Sequence, residues 1–275
     1  MTPDIYVAVN EENDRRWRPA RAIRISFLLH AAGAVTLAVH PEMWLWMAGM
    51  LAGNHMVLLA AVFWPRGRLL GPNLDRLPVS AVRRHEVCLT FDDGPEPEVT
   101  PRVLELLDRH QAKASFFCVG EKAAAYPDIV KEIARRGHSV ENHSYHHSHA
   151  FAFYGISRLR REVESAQAVL AGATGRLPVF FRAPAGFRNP LLDFILATRG
   201  LRYVSWTRRG FDAVRSDPAR VLARLTRGLA AGDVLLLHDS GPVVLGVLPA
   251  LLDQLAARGL KSVSLPSACG DGSAA

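Results

Sequence analysis

The stretch Glu86–Pro95, EVCLTFDDGP, decides how this chain is read. Glu86–Phe91 is a short β-rich run, and Asp92-Asp93-Gly94-Pro95 closes it as a polar turn. Two adjacent carboxylates at a strand end can divide labour. One can hold a metal while the other takes a proton from metal-bound water. Alone, Asp-Asp-Gly-Pro is also an ordinary turn, so the segments around it must decide. Downstream, VTPRVLELLDRHQ has helical periodicity, with Thr100 as N-cap and Pro101 at the first helical position. KASFFCVG then reads as a strand, YPDIVKEIARRG as an amphipathic helix and SVENHS as a strand with its exit. ISRLRREVESAQAVLAGATG, NPLLDFILATRG, PARVLARLTRGLAAG and GVLPALLDQLAARG read as helices. VFFRAP, RYVSWT, DVLLLHD and KSVSL read as the strands between and after them. Strand–helix alternation repeated about seven times predicts parallel strands in an α/β barrel or open sheet. The polar motifs fall at strand C-termini, where such barrels carry their chemistry.

Four further motifs carry chemistry. NHSYHHSH, Asn142–His149, holds His143 and His147 four residues apart, so both can face one ion if the segment makes a helical turn. His146 and His149 are alternatives, as is a solvated loop. One Asp with two His leaves coordination positions open, as in a catalytic site. FRAPAG, Phe181–Gly186, offers Arg182 for a bidentate grip on a carboxylate. SWTRRGFD, Ser205–Asp212, offers Trp206 as a wall and Asp212 as a carboxylate. LLLHD, Leu235–Asp239, ends a strand with His238, a candidate proton donor.

Five motifs in this order resemble the NodB-homology polysaccharide deacetylases, carbohydrate esterase family 4, over about residues 85–266. The resemblance implies a distorted (β/α)7-type barrel and a hydrolase that removes an N-acyl group, N-acetyl foremost, from an amino sugar. It implies Asp92 as base, Asp93, His143 and His147 as metal ligands, and Arg182 as the holder of the base. Asp212 would tune His238, the general acid. Ala185, Trp206 and Leu236 would contact substrate, Leu236 beside the acyl methyl. The implied cofactor is a divalent ion, zinc first, with cobalt, nickel and manganese as alternatives.

Two departures bear on the substrate. Ala185 stands where the family usually has Tyr or Phe; its backbone N–H could still meet an oxyanion, but the aromatic wall is lost. Arg209 stands where an Asp is usual, with Arg208 beside it and Ala213 in place of a Trp. The two arginines suggest an anionic substrate, such as a phosphate-linked sugar. A deformylase or another non-peptide C–N hydrolase acting on a lipid-linked substrate is the alternative. A degenerate, non-catalytic domain is a further reading.

Before this domain the chain changes character. Residues 1–21 form a basic tail, 22–64 are strongly apolar, and 65–84 form a Pro/Gly/Arg-rich linker. The domain is expected over 85–268, with a short tail at 269–275. The apolar part holds two runs separated by His40-Pro41-Glu42, the second about the 20 residues a span requires. The expectation is a transmembrane helical hairpin in the inner membrane, contacting lipid through residues 22–64. A hairpin lying in the interface and a pair of buried core helices are the alternatives; a signal peptide lacks its cleavage site. Arg15 to Arg24 precede the hairpin and Arg66 and Arg68 follow it. The positive-inside rule then places the catalytic domain in the cytoplasm.

The 275 residues carry a formal net charge of +7. No zinc-finger spacing or aromatic–basic interleaving accompanies it, so a nucleic-acid partner is set aside. The expected partners are an N-acylated sugar or lipid-linked glycan and the membrane. Three cysteines without a CxxC pattern argue against a disulfide framework, and Cys88 and Cys118 read as core thiols.

Overall fold

A computed structural model describes residues 17–214 and 217–270. Arg15, Arg16 and the rest of the basic tail before Trp17 lie outside these residues, as do 271–275.

Strand β1 is Glu86–Asp92, β2 Ala114–Cys118, β3 Ser139–Asn142, β4 Phe180–Phe181 and β5 Arg202–Tyr203. Arg208–Arg209 forms β6, Val234–His238 β7 and Lys261–Ser262 β8. All ladders are parallel, in the order β5-β4-β3-β2-β1-β7-β6, with β8 also on β1. The expected parallel α/β architecture is therefore present. The sequence reading gives no strand at Arg208–Arg209, just after RYVSWT, because a two-residue strand carries no period.

Connectivity forces this sheet to curl. β5 and β6 are its opposite edges, and laid flat seven strands would separate them by about 29 Å. Yet only a short segment joins Tyr203 to Arg208, spanning at most roughly 18 Å. The strand ends are thereby gathered round a concave face.

Alternation assigns the two faces. Val87, Leu89 and Phe91 of β1 join Ala114, Phe116 and Cys118 of β2 and Leu235 and Leu237 of β7 in the main core. Helices α4 (Thr100–Arg109), α5 (Pro127–Arg135) and α7 (Val243–Ala257) cover it with Leu104, Ile133 and Leu248. The other face carries Thr90, Asp92, Ser115, Phe117, Leu236 and His238. Register aligns Asp92 with His238, and Thr90 with Leu236. Cys88 and Cys118 are buried and free. Burial pushes the Cys88 thiol up to about 12 and Cys118 well above its usual value, which disfavours the thiolate in both.

Thr100 is not an N-cap: it is the first helical residue, behind Val99. Its hydroxyl donates to Asp239 Oδ2 at 2.6 Å and accepts from the Glu96 N–H at 2.8 Å. It ties the turn after β1 to the residue after His238.

Helices α1 (Arg21–Val39) and α2 (Trp44–Val62) form a hairpin and are long and apolar enough to cross a membrane by length and composition. Phe27, Leu28, Leu45 and Trp46 point outward, so the pair is not a buried core. Asn54, which interrupts the second run, donates to Ser26 Oγ at 2.9 Å across the hairpin. Residues 65–84 pack on the domain: Leu70, Leu77 and Ala81 are buried, and Leu74 pairs with Val204 beside β5. This stretch includes the short helix α3 (Val79–Arg83).

Candidate active site

Asp92 and Asp93 leave β1 in opposite roles because Asp93 turns into the left-handed region, φ 72°. Asp92 stays on the concave face and is buried. Its Oδ1 accepts 2.6 Å from Arg182 Nη1. Arg182 is fully buried at the end of β4, with its guanidinium over the Phe117 ring. Its Nη1 also donates to Thr90 Oγ1 at 2.9 Å, and its Nη2 to the Ser205 carbonyl at 2.9 Å. The expected bidentate grip is thus a single hydrogen bond to Asp92. The fork is spread over three partners because the carboxylate lies at one end of it.

Asp93 Oδ1 lies 3.3 Å from His143 Nε2 and 3.0 Å from His147 Nε2. Burial works against the Asp93 charge, but the two imidazoles outweigh it and hold the carboxyl well below the usual carboxylate range. Asp93 Oδ1 is buried without a hydrogen bond of good geometry to either ring. Three such atoms, close together but not aimed at one another, fit ligands around a shared ion. They form a possible Asp–His–His metal site. His143 Nδ1 is bonded to the Arg182 carbonyl at 2.8 Å, which orients the ring and leaves Nε2 facing the cluster.

The two histidines do not meet through a helical turn. Residues 143–150 are irregular, and Ser144 and His147 have φ of 64° and 51°. A loop this strained needs external support, which α6 (Ile156–Thr174) supplies. Glu162, buried on that helix, accepts from the Tyr145 and His146 N–H groups at 3.1 and 3.0 Å. It also binds His146 Nδ1 at 2.9 Å. Asn142 Oδ1 accepts from the Ser144 N–H at 3.0 Å. His146 is thus engaged elsewhere, and His149 stands outside the cluster. Sequence reasoning missed Glu162, yet a signal existed: it shares a helical stripe with Leu159, Val163, Ala166 and Leu170, where a charge needs a partner.

His238 ends β7 beside Asp92. Asp212 grips it twice: Oδ2 accepts the His238 N–H at 2.7 Å and Oδ1 binds Nδ1 at 2.9 Å. Burial disfavours the imidazolium, but Asp212 outweighs it, with Asp92 and Asp93 adding, and the His238 pKa is raised. With Nδ1 engaged by Asp212, Nε2 is the ring nitrogen left for proton transfer.

Trp206 and Leu236 are buried, and Ala185 is half-buried. Ala185 and Gly186 are both left-handed, φ 54° and 78°. A Cβ at Gly186 would stand 2.5 Å from the Trp206 ring, so only glycine lets this loop lie on the indole. The two arginines part company. Arg208 turns to Asp233 and to the carbonyls of Arg227 and Gly228, while Arg209 stays beside Trp206.

Strand ends bearing an arginine-held carboxylate, an Asp–His–His cluster and an Asp–His pair make up a candidate hydrolytic site at the rim of a parallel α/β sheet. The polysaccharide deacetylase family model matches residues 80–204. The chain is 33% identical over 193 residues to a peptidoglycan-N-acetylglucosamine deacetylase of Bacillus cereus, covering 66% of this chain and 67% of the relative. It is 35% identical over 159 residues to a chitooligosaccharide deacetylase of Azorhizobium caulinodans, covering 57% of this chain and 74% of the relative. A solved peptidoglycan N-acetylglucosamine deacetylase superposes with a TM-score of 0.67 at 30% identity, covering 72% of this chain and 92% of that one. The chain belongs to the polysaccharide deacetylase family.

Proposed function

We propose that this chain is a metal-dependent N-deacetylase of amino sugars within a glycan, with Asp92 as base and His238 as acid. The observation that carries the reading is the convergence of three polar groups at one rim of the sheet. They are Asp92 with Arg182, Asp93 with His143 and His147, and Asp212 with His238. A family pseudoenzyme and a mutant of it with restored enzymatic activity share the fold at 23% and 25% identity, each with a TM-score of 0.66, so the residues, not the fold, bear the weight.

Asp93, His143 and His147 would hold a divalent ion, zinc first. Such an ion, when bound, acidifies water and polarises a carbonyl. Arg182 holds Asp92 by Oδ1 and leaves Oδ2 to accept the water's proton. Asp212 fixes the His238 ring so that Nε2 donates to the leaving nitrogen, a poor leaving group until protonated. Trp206 and Leu236 would wall the acyl pocket, and the Ala185 N–H would face the developing oxyanion.

The test is acyl release from N-acetylated and N-formylated sugars, free and lipid-linked, by metal-loaded protein. Release should occur with at least one acetylated member. Asp93→Ala should lose both release and retained metal, the latter read by elemental analysis. A protein that retains metal yet releases acyl groups from no member would sink the reading, and release from the formylated members alone would favour the deformylase.

A lipid-linked substrate is favoured by one contact. The end of α2 touches the loop after β4: the Val62 carbonyl accepts from the Arg188 N–H at 3.2 Å, and the Phe63 and Phe187 rings lie 4.9 Å apart. The hairpin, residues 22–64, would thus hold the rim of the site at a bilayer surface, with 1–21 as basic flank, 65–84 as linker and 85–268 as catalytic domain. Basic residues on both flanks favour a cytoplasmic catalytic domain. The full chain should resist alkaline carbonate extraction from membranes, and a periplasm-dependent reporter after Ala275 should stay silent. An active reporter would reverse the orientation and favour mature wall glycan as substrate.

A further inference from the structure

We propose that Arg209 is a specificity residue that binds an anionic group, carboxylate or phosphate, borne by the sugar whose N-acyl group is cleaved. The proposal rests on the deacetylase reading above and names the class of its substrate.

Strand register places Arg209. It pairs with Leu236, which pairs with Thr90, so the three form a row on the concave face. The Asp92–His238 pair lies two residues further along the same strands. Arg208, one residue earlier, faces the opposite way and is consumed by Asp233 and two carbonyls.

The surroundings of Arg209 lack what a structural arginine needs. Its guanidinium lies 5.2 Å from the Trp206 ring centroid and 4.8 Å from that of Phe211. Among the described residues it makes no hydrogen bond or ion pair, and its Nε is buried without a partner. Arg209 is half-buried, and a polar atom shut away without a hydrogen bond is costly. The nearby carboxylates are committed elsewhere: Asp92 to Arg182, Asp212 to His238, and Asp93 to two histidines. Gly186 also lies against the Trp206 ring, and its neighbour Ala185 brings only a methyl group to this side of the site. Two rings thus orient a planar fork of free donors beside the reaction centre. That fork matches the paired oxygens of a carboxylate or phosphate.

The test uses the full chain in detergent micelles, wild type and Arg209→Met. Three probes are titrated by calorimetry: N-acetylmuramic acid (a carboxylate), N-acetylglucosamine 6-phosphate and neutral N-acetylglucosamine. Wild type should bind at least one anionic probe about tenfold or more tightly than the neutral one, the worth of a charged hydrogen bond. Which anion wins identifies the source of the charge. Arg209→Met should bring the anionic-to-neutral ratio close to one, and Arg209→Lys should restore it only in part. An unchanged ratio in Arg209→Met, or no anionic preference in wild type, would overturn the proposal. Anionic preference that depends on Arg209, without hydrolysis of any probe or glycan, would instead bring down the deacetylase reading and leave Arg209 as an anion site.

Discussion

Asp92→Asn and His238→Ala should each lower kcat by about 10²–10⁴-fold, the usual worth of a positioned acid or base. KM should change little, because neither group is the main holder of the sugar. The double variant should lose far less than the product of the two losses, since both act on one proton-transfer sequence. The pH profile separates the roles. His238 must be protonated to act as acid, and Asp212 raises its pKa against the effect of burial. Activity should therefore fall as pH rises through a value above that of a free histidine. Asp212→Asn removes the main favourable charge and leaves burial, so that basic limb should move to lower pH. Near-normal turnover in Asp92→Asn would remove it as base. An unmoved basic limb in Asp212→Asn would detach that limb from His238.

Arg182→Met should be the most destabilising single change in the site, by about 3–5 kcal/mol. Arg182 is fully buried, and Asp92 is 4% exposed. Removing the guanidinium leaves Asp92 buried without its partner and frees Thr90 Oγ1 and the Ser205 carbonyl. Methionine fills much of the volume, so the loss is electrostatic rather than a cavity. The double variant Arg182→Met/Asp92→Leu should recover part of the stability, since it removes the stranded charge, while remaining inactive. Denaturant melts of both variants check this. Equal instability of single and double variants would show that packing over Phe117, not charge, is what Arg182 supplies.

The motifs legible in the sequence were those whose chemistry is local. DDGP ends a strand, NHSYHHSH clusters imidazoles, and LLLHD puts a histidine after an apolar run. What the reading missed was support from a distance. Glu162 reaches the histidine loop from a helix, and Thr100 bonds to Asp239 across 139 residues of sequence. The helical turn expected for His143 and His147 failed because Asn142 and Glu162 stabilise a different backbone, one that spacing alone cannot distinguish.

Local pattern determined much by itself: the alternation of strands and helices, the two apolar N-terminal helices, and which residue types end each strand. Those features follow from hydrophobic period and turn chemistry, which act over a few neighbours. Tertiary structure decided how the sheet curls, that Arg182 spreads its fork over three partners, and that Arg208 and Arg209 face opposite ways. A two-residue strand shows no period, and side chains on opposite faces are sorted only by their pairing with Leu235 and Leu236. Partner and face depend on register, and register is settled only when the strands meet.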